Sequence, residues 1–337
     1  MLKSLRLTVV LALFLPATLA PPARADGLPL PVDGSERGLL SPTGGIRYLT
    51  APAGRHTVVI AQDAKTGAVR RRAALLRGTF ALPVVAYDGT PAGISADGAT
   101  LVVIRPRTGF PRARTTFAVM EAKGAGLRLR RTVRLNGDFS FDALSADGAS
   151  LFFIQYISRR DPSKYRVRVY DLRTGRLAPK PVVDPRESPD EMNGLPVSRA
   201  VSPSGRWAYT LYDRSGKQPF IHALDTTERR AVCIDLHGRA LARDPYALRL
   251  AVSSSGGVVE VLRRRRALAT VDTRTFRVSK PASASTAGRA PPLALIAALA
   301  CLLAAGTFML HRRSRRAGPP ATSVTPEAGS SAARAVR

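Results

Sequence analysis

A phrase of the form Ser-x-x-Gly returns five times along the chain, and its spacing restricts the fold more than any other feature. It reads Ser41-Pro42-Thr43-Gly44, Ser95-Ala96-Asp97-Gly98, Ser145-Ala146-Asp147-Gly148, Ser202-Pro203-Ser204-Gly205 and Ser253-Ser254-Ser255-Gly256. Successive copies lie 54, 50, 57 and 51 residues apart. A period near fifty marks a series of similar supersecondary units rather than one irregular domain. Gly tolerates positive φ, and Ser or Asp bonds nearby backbone, so each copy reads as a tight turn. Apolar, β-prone runs flank it: 38–40, 92–94, 139–144, 197–201 and 248–252 before, and 46–49, 101–104, 151–156, 207–212 and 258–262 after. Each unit therefore opens as a hairpin.

A second turn follows 19 to 26 residues later, as Asp63-Ala-Lys-Thr-Gly67, Glu121-Ala-Lys-Gly124, Asp171-Leu-Arg-Thr-Gly175, Asp225-Thr-Thr-Glu228 and Asp272-Thr-Arg-Thr275. Strand-like runs precede it (57–60, 116–120, 166–170, 220–224, 267–271), and a fourth run closes the unit, as at 127–135 and 229–234. No sustained helical periodicity interrupts the series. Four-stranded units of this length, repeated radially, are the blades of a propeller. The expectation is an all-β chain with five four-stranded antiparallel blades over residues 38–280.

The succession of a Ser-Pro-Asp-Gly-like turn, an apolar strand and an Asp-x-x-Thr-Gly turn resembles the WD-type repeats of TolB-like β-propellers. The resemblance covers 38–280. It is specific for fold and weak for function, because the motif is structural. It implies a protein that binds proteins, peptides or glycans.

The ends of the chain carry different signals. Residues 1–25 read as a secretory signal, with Lys3 and Arg6, an apolar stretch at 7–15 and Ala23-Arg24-Ala25 as a cleavage site. Residues 26–37 form a lead-in. Residues 293–310 are uncharged and apolar, long enough as a helix to span the hydrocarbon, and His311-Arg312-Arg313-Ser314-Arg315-Arg316 follows as a basic stop. The expectation is one transmembrane helix in the cell membrane. The propeller would then be extracellular, with 281–292 as a linker and 311–337 as a cytoplasmic tail poor in apolar residues. Cys233 and Cys301 fall on opposite sides of that boundary, so no disulfide is expected within the exported domain.

Formal net charge is +28, with Arg far above Lys, as GC-rich coding would give. Placement adds a sharper reading. The connections between second and third strands carry Arg105, Arg107, Arg112, Arg114, Arg159, Arg160, Lys164, Arg263 and Arg264, and such connections emerge on one face. Their summed field would attract an anionic partner: wall polymer, acidic glycan, lipid headgroups or an acidic protein. Nucleic acid does not suit an exported, tethered domain.

Chemical motifs are lacking. His56, His222, His237 and His311 stand apart, with no His-Glu-x-x-His and no paired cysteines, so no metal or cofactor is expected. There is no Gly-x-Ser-x-Gly elbow and no phosphate loop. The acidic cluster Asp184, Glu187, Asp190 and Glu191 lies in a Pro-rich loop and reads as solvated, with calcium as an alternative. The expected role is non-catalytic binding by rim loops and the channel mouth. The rival is a carbohydrate-active hydrolase, which would need carboxylates from separate blades converging at the axis. A third reading is a sensor reporting through the tail.

Overall fold

A computed structural model of the protein describes residues 38–72, 76–122, 127–187 and 193–281. The signal, lead-in, membrane-span and tail expectations lie outside these residues. Among the described residues no helix is long and apolar enough to cross a membrane.

The chain forms five antiparallel sheets in sequence order. Sheet one holds β1 (Leu39–Leu40), β2 (Ile46–Ala53), β3 (His56–Asp63) and β4 (Val69–Arg72), with β5 (Leu76–Arg77) also on β3. Sheet two holds β6 (Thr100–Ile104), β7 (Arg114–Glu121) and β8 (Arg128–Asn136). Sheet three runs β9 (Phe139–Leu144), β10 (Ser150–Tyr156), β11 (Tyr165–Asp171) and β12 (Arg176–Leu177). Sheet four runs β13 (Leu195–Val201), β14 (Trp207–Asp213), β15 (Phe220–Asp225) and β16 (Arg230–Asp235). A short helix, Arg239–Ala242, and a 3-10 turn, Pro245–Ala247, lead to sheet five: β17 (Leu248–Val252), β18 (Val258–Arg263), β19 (Arg266–Asp272) and β20 (Val278–Ser279).

The repeated phrase performs the same local job in every unit. The Ser hydroxyl accepts from the backbone N–H five residues on, at Ile46, Thr100, Ser150, Trp207 and Val258, over 2.9 to 3.1 Å. The turn also packs one unit on another. Gly148 has φ 65°, and a Cβ there would sit 2.3 Å from Thr100 Oγ1 in sheet two. At Gly205 it would sit 2.3 Å from the Ala96 Cβ. The Gly is thus needed twice, for a left-handed backbone and for close approach. The second landmark is an Asx turn: Asp63, Asp171, Asp225 and Asp272 each accept from the N–H groups two and three residues on. All four carboxyls lie below the ordinary range: the backbone bonds lead at Asp171 and Asp272, while Arg70 at Asp63 and, against burial, Arg206 at Asp225 outweigh them.

Alternate residues of a strand point to opposite faces, so each interior sheet feeds two cores. Phe153 packs with Phe117 and Val119 of sheet two, while Phe152 packs with Ala208 and Phe220 of sheet four. Comparable clusters join sheets one and two, around Tyr48, Val59 and Leu101, and sheets four and five, around Tyr209, Ile221 and Val259. Among the described residues, no buried cluster joins sheet five to sheet one.

Unit two departs from the expected four strands. The run 92–94 forms no strand, and Ile94 only bridges Leu101. The inner segment instead folds as a hairpin. Ala92 N–H donates to Pro83 O at 2.9 Å, Val85 N–H to Thr90 O at 3.1 Å, and Gly89 N–H closes the turn on Ala86 O at 3.0 Å. Pro83 and Pro91 carry no N–H and so cannot serve a continuous ladder, and Asp88-Gly89 supplies the turn. The hairpin reaches sheets four and five. Tyr87 and Asp88 N–H donate to Pro196 O and Val197 O at 2.9 and 3.1 Å, and the Tyr87 and Tyr246 rings meet edge-on at 5.8 Å.

Candidate binding face and axial channel

The connections between second and third strands open at the end of the sheets away from the Ser-x-x-Gly turns. The nine cations expected to act there divide into two groups. Arg107 and Arg112 turn inward onto one carboxylate, Asp138, which stands just before β9. Arg107 Nη2 and Nε donate to it at 2.5 and 3.0 Å, Arg112 N–H donates at 2.9 Å, and Arg112 Nε lies 3.2 Å away. The Arg112 guanidinium also donates to Phe139 O. Arg107 further lies over the rings of Tyr156 and Phe110, at 5.1 and 5.9 Å. Two guanidinium groups on one carboxylate leave an excess positive charge in a poorly solvated place. Burial, and then the like charge of Arg107, push Arg112 down to about 10.

The other cations stand outward. Arg105 is exposed, bonds Arg77 O at 3.3 Å and covers the Phe80 ring. Arg114, Arg159, Arg160, Lys164 and Arg264 are exposed, and Arg263 donates to Asp244 O at 3.1 Å. Arg159 and Arg160 share a loop whose shape is fixed by Ser158 Oγ, which accepts from Arg160 and Asp161 N–H.

At the axis, Asp142 of β9 meets Arg199 of β13. Arg199 Nη1 donates to Asp142 O at 2.9 Å, and Nη2 to its carboxylate. Both side chains are under 5% exposed. Tyr165 stacks on Tyr212 at 5.7 Å, and Tyr212 meets His222 edge-on at 6.3 Å. His222 is pushed down to about 4: burial dominates, Asp142 opposes it, and Arg199 adds to it. The nearby Asp88, at the hairpin tip, has Arg249 at 4.0 Å. Asp88, Asp138 and Asp142 thus each face an arginine.

The acidic loop is likewise committed. Asp184 is buried and accepts from Arg186 Nη2 at 2.6 Å and from Cys233 N–H at 2.7 Å. Glu187 and Cys233 lie close enough to Asp184 to share a cation, but the Arg186 guanidinium already neutralises that carboxylate. Burial pushes the Cys233 thiol well up, so it offers no thiolate. Asp184 is therefore not the solvated residue expected from sequence. The Pro-rich stretch folds Asp184 back onto β16. Asp190 and Glu191 lie outside the described residues.

Three features escaped the sequence reading: the hairpin, the Asp138 pair and the Asp142–Arg199 pair. Signals exist for the first and the last. Asp88-Gly89 between apolar residues is a hairpin cue. A charge inside an otherwise apolar strand, as in Phe141-Asp142-Ala143-Leu144 and Ser198-Arg199-Ala200-Val201, calls for a buried partner. The 57 residues between those two are what hides the pairing.

No family model matches the chain. No curated protein matches it in sequence. Solved structures do align. The Swd1 β-propeller domain of Myceliophteria thermophila covers 72% of this chain and 69% of its own, at 12% identity and a TM-score of 0.44. TolB from Acinetobacter baumannii covers 72% of this chain at 14% identity and a TM-score of 0.40, and this chain spans only 53% of that protein. An oligogalacturonate lyase in complex with manganese covers 76% of this chain and 66% of its own, at 12% identity and a TM-score of 0.43. The β-propeller fold itself rests on this chain's own antiparallel sheets, which follow one another in sequence order, each packed on its neighbour.

Proposed function

We propose that the protein is a membrane-anchored, extracytoplasmic five-bladed propeller that binds a protein or an anionic component of the cell envelope and carries out no catalysis. One observation carries the reading. Among the described residues, Asp88, Asp138 and Asp142 near the axis are each matched by an arginine, whereas Arg114, Arg159, Arg160, Lys164 and Arg264 stand outward with no described carboxylate within ion-pair distance. A glycosidase needs one carboxyl to hold a proton and another to stay free, and an adjacent guanidinium defeats the first requirement. A surplus of outward cations on one end instead gives a field that concentrates anions.

Retention on envelope material tests this. Full-length protein in detergent is passed over cell-wall preparations and over anionic and neutral lipid vesicles. The variant Arg159→Glu/Arg160→Glu/Lys164→Glu should be retained at least about threefold less than the native protein at low salt, the gap closing as salt screens the field. Equal retention of both proteins at low salt would sink the anionic-partner reading.

A further inference from the structure

The turn-side end of the axis holds a chamber that the binding face does not use. Its volume is about 310 Å³, and it is lined by Leu39, Leu40, Ile94, Phe141, Leu144 and Val201, contributed by sheets one, three and four and, through Ile94, by the segment leading into sheet two. The hairpin bounds it through Thr90 to Gly93. The tip of that hairpin is bonded to Pro196 and Val197 further along the axis. The chamber opens on the opposite side, among Pro42, Ala96 and Pro203 of the Ser-x-x-Gly turns.

Most of its polar groups are committed elsewhere, while Asp142 Oδ2 and Arg199 Nε are buried without a hydrogen-bond partner among the described residues. Ser95 and Ser202 hydroxyls close their own turns, accepting from Thr100 and Trp207 N–H at 2.9 and 3.0 Å. Asp142 and Arg199 neutralise each other in the wall. What faces the space is apolar. At its entrance Leu40 and Val201, from sheets one and four, are 45% and 52% exposed. Exposed apolar side chains are ordinary one by one, but these two extend the apolar lining to the entrance of the chamber. A space of this size holds about ten waters by bulk volume, and apolar walls give them few hydrogen bonds. A ligand that displaces them gains by the hydrophobic effect.

We infer that this chamber binds a small neutral apolar molecule. A charged ligand would lose its hydration without finding an unpaired counter-charge on the walls. An extended peptide cannot thread the axis, because the hairpin crosses it. This site is independent of the cationic face and stands or falls apart from it.

Photolabelling locates such binding even where a membrane competes for the probe. Full-length protein in lipid nanodiscs is irradiated with trifluoromethyl-phenyl-diazirine, a neutral apolar photoprobe, and labelled peptides are mapped by mass spectrometry. Labelling should concentrate on the peptides carrying Leu39 to Pro42, Phe141 to Leu144 and Val201 to Pro203, and an excess of cyclohexanol should suppress it. Leu40→Asp and Val201→Asp alter exposed rim positions, so the fold should survive, as an unchanged melting temperature would verify. Each should lower chamber labelling, and the pair by about tenfold. Ala92→Phe, which fills the space from the hairpin base, should do the same. Labelling spread over the surface in proportion to exposure overturns the proposal. So does chamber labelling indifferent to cyclohexanol and to all three substitutions, and so does a chamber closed to the probe because another part of the chain fills it.

Discussion

Sheet three and sheet five are built from the same repeat and are buried differently. In β10, Ser150 to Ile154 are all buried, because sheets two and four cover both faces. In β18 only Val259 and Val261 are buried, and Val258, Glu260 and Leu262 on the other face are half-exposed. Strand β3 of sheet one alternates likewise, with Thr57, Val59 and Ala61 buried. The sequences differ accordingly: Leu151-Phe152-Phe153-Ile154 is continuously apolar, while Val258-Val259-Glu260-Val261 interposes a charge. The last unit's strand reads as half-wet, whereas β3 of the first unit, with Val58-Val59-Ile60-Ala61, reads as a core segment and is buried on one face only. The local rules of the repeat are shared, and the neighbours decide the burial.

The largest expected effect tests that contrast directly. Phe153 is fully buried and stacks on Phe117 at 4.5 Å, with Phe139 at 6.1 Å. Phe153→Ala should cost about 3–5 kcal/mol through lost burial and a cavity. Val258→Ala, on the outer face of sheet five, should cost under about 1 kcal/mol. Denaturant midpoints of the two variants give the comparison. Similar losses would mean that the outer face of sheet five is covered after all.

Titration sharpens the same contrast, because interior sheets trap ionisable groups that end sheets leave wet. His222 lies on β15 of sheet four, about 1% exposed, and is held neutral down to about pH 4. An unfolded histidine takes its proton near pH 6.5. Between these values the unfolded chain binds a proton that the native one refuses, so stability is full above pH 6.5 and falls as pH drops toward 4. The depression corresponds to roughly 3 kcal/mol. His222→Phe should flatten thermal stability across pH 6.5 to 4, and an unchanged slope would assign the acid sensitivity elsewhere. The turn aspartates act in a lower window. Their carboxyls are depressed, so their contribution is present above about pH 4 and lost below it.

Much of this architecture was legible before any coordinates. The turn phrase placed the hairpins, because its Ser and Gly act within six residues of each other. Strand runs such as 139–144 and 220–224 match β9 and β15 within a residue. The inner strand of unit two was misread, since 92–94 looks like the other first strands and only its pairing with Pro83 and Val84 makes it a hairpin leg. On the binding face, Arg107 and Arg112 were grouped with the outward cations. Connector position sets which end of the sheet an arginine leaves from, but its direction depends on Asp138, 26 residues beyond Arg112. A charge within an apolar strand, such as Asp142 or Arg199, signals that a buried partner is needed, but nothing local says which residue supplies it.

The smallest expected effect concerns how sheet five is held. Among the described residues its buried cluster reaches sheet four alone, yet the hairpin before sheet two touches Tyr246 in the turn leading into it through Tyr87, and Arg249 of β17 through Asp88. The ring pair contributes about 0.5–1.5 kcal/mol beyond its buried area, and the exposed ion pair less. Tyr87→Ala should therefore lower global stability by about 1 kcal/mol while changing local opening more visibly. Amide exchange in β17 and β18 should quicken, and exchange in β10 should stay as it was, since sheet three keeps both its neighbours. Equal acceleration in both would make the hairpin part of one cooperative core. No acceleration in sheet five would show that the contact with sheet four alone holds it, and the cross-axis strand pair would then serve only to close the channel.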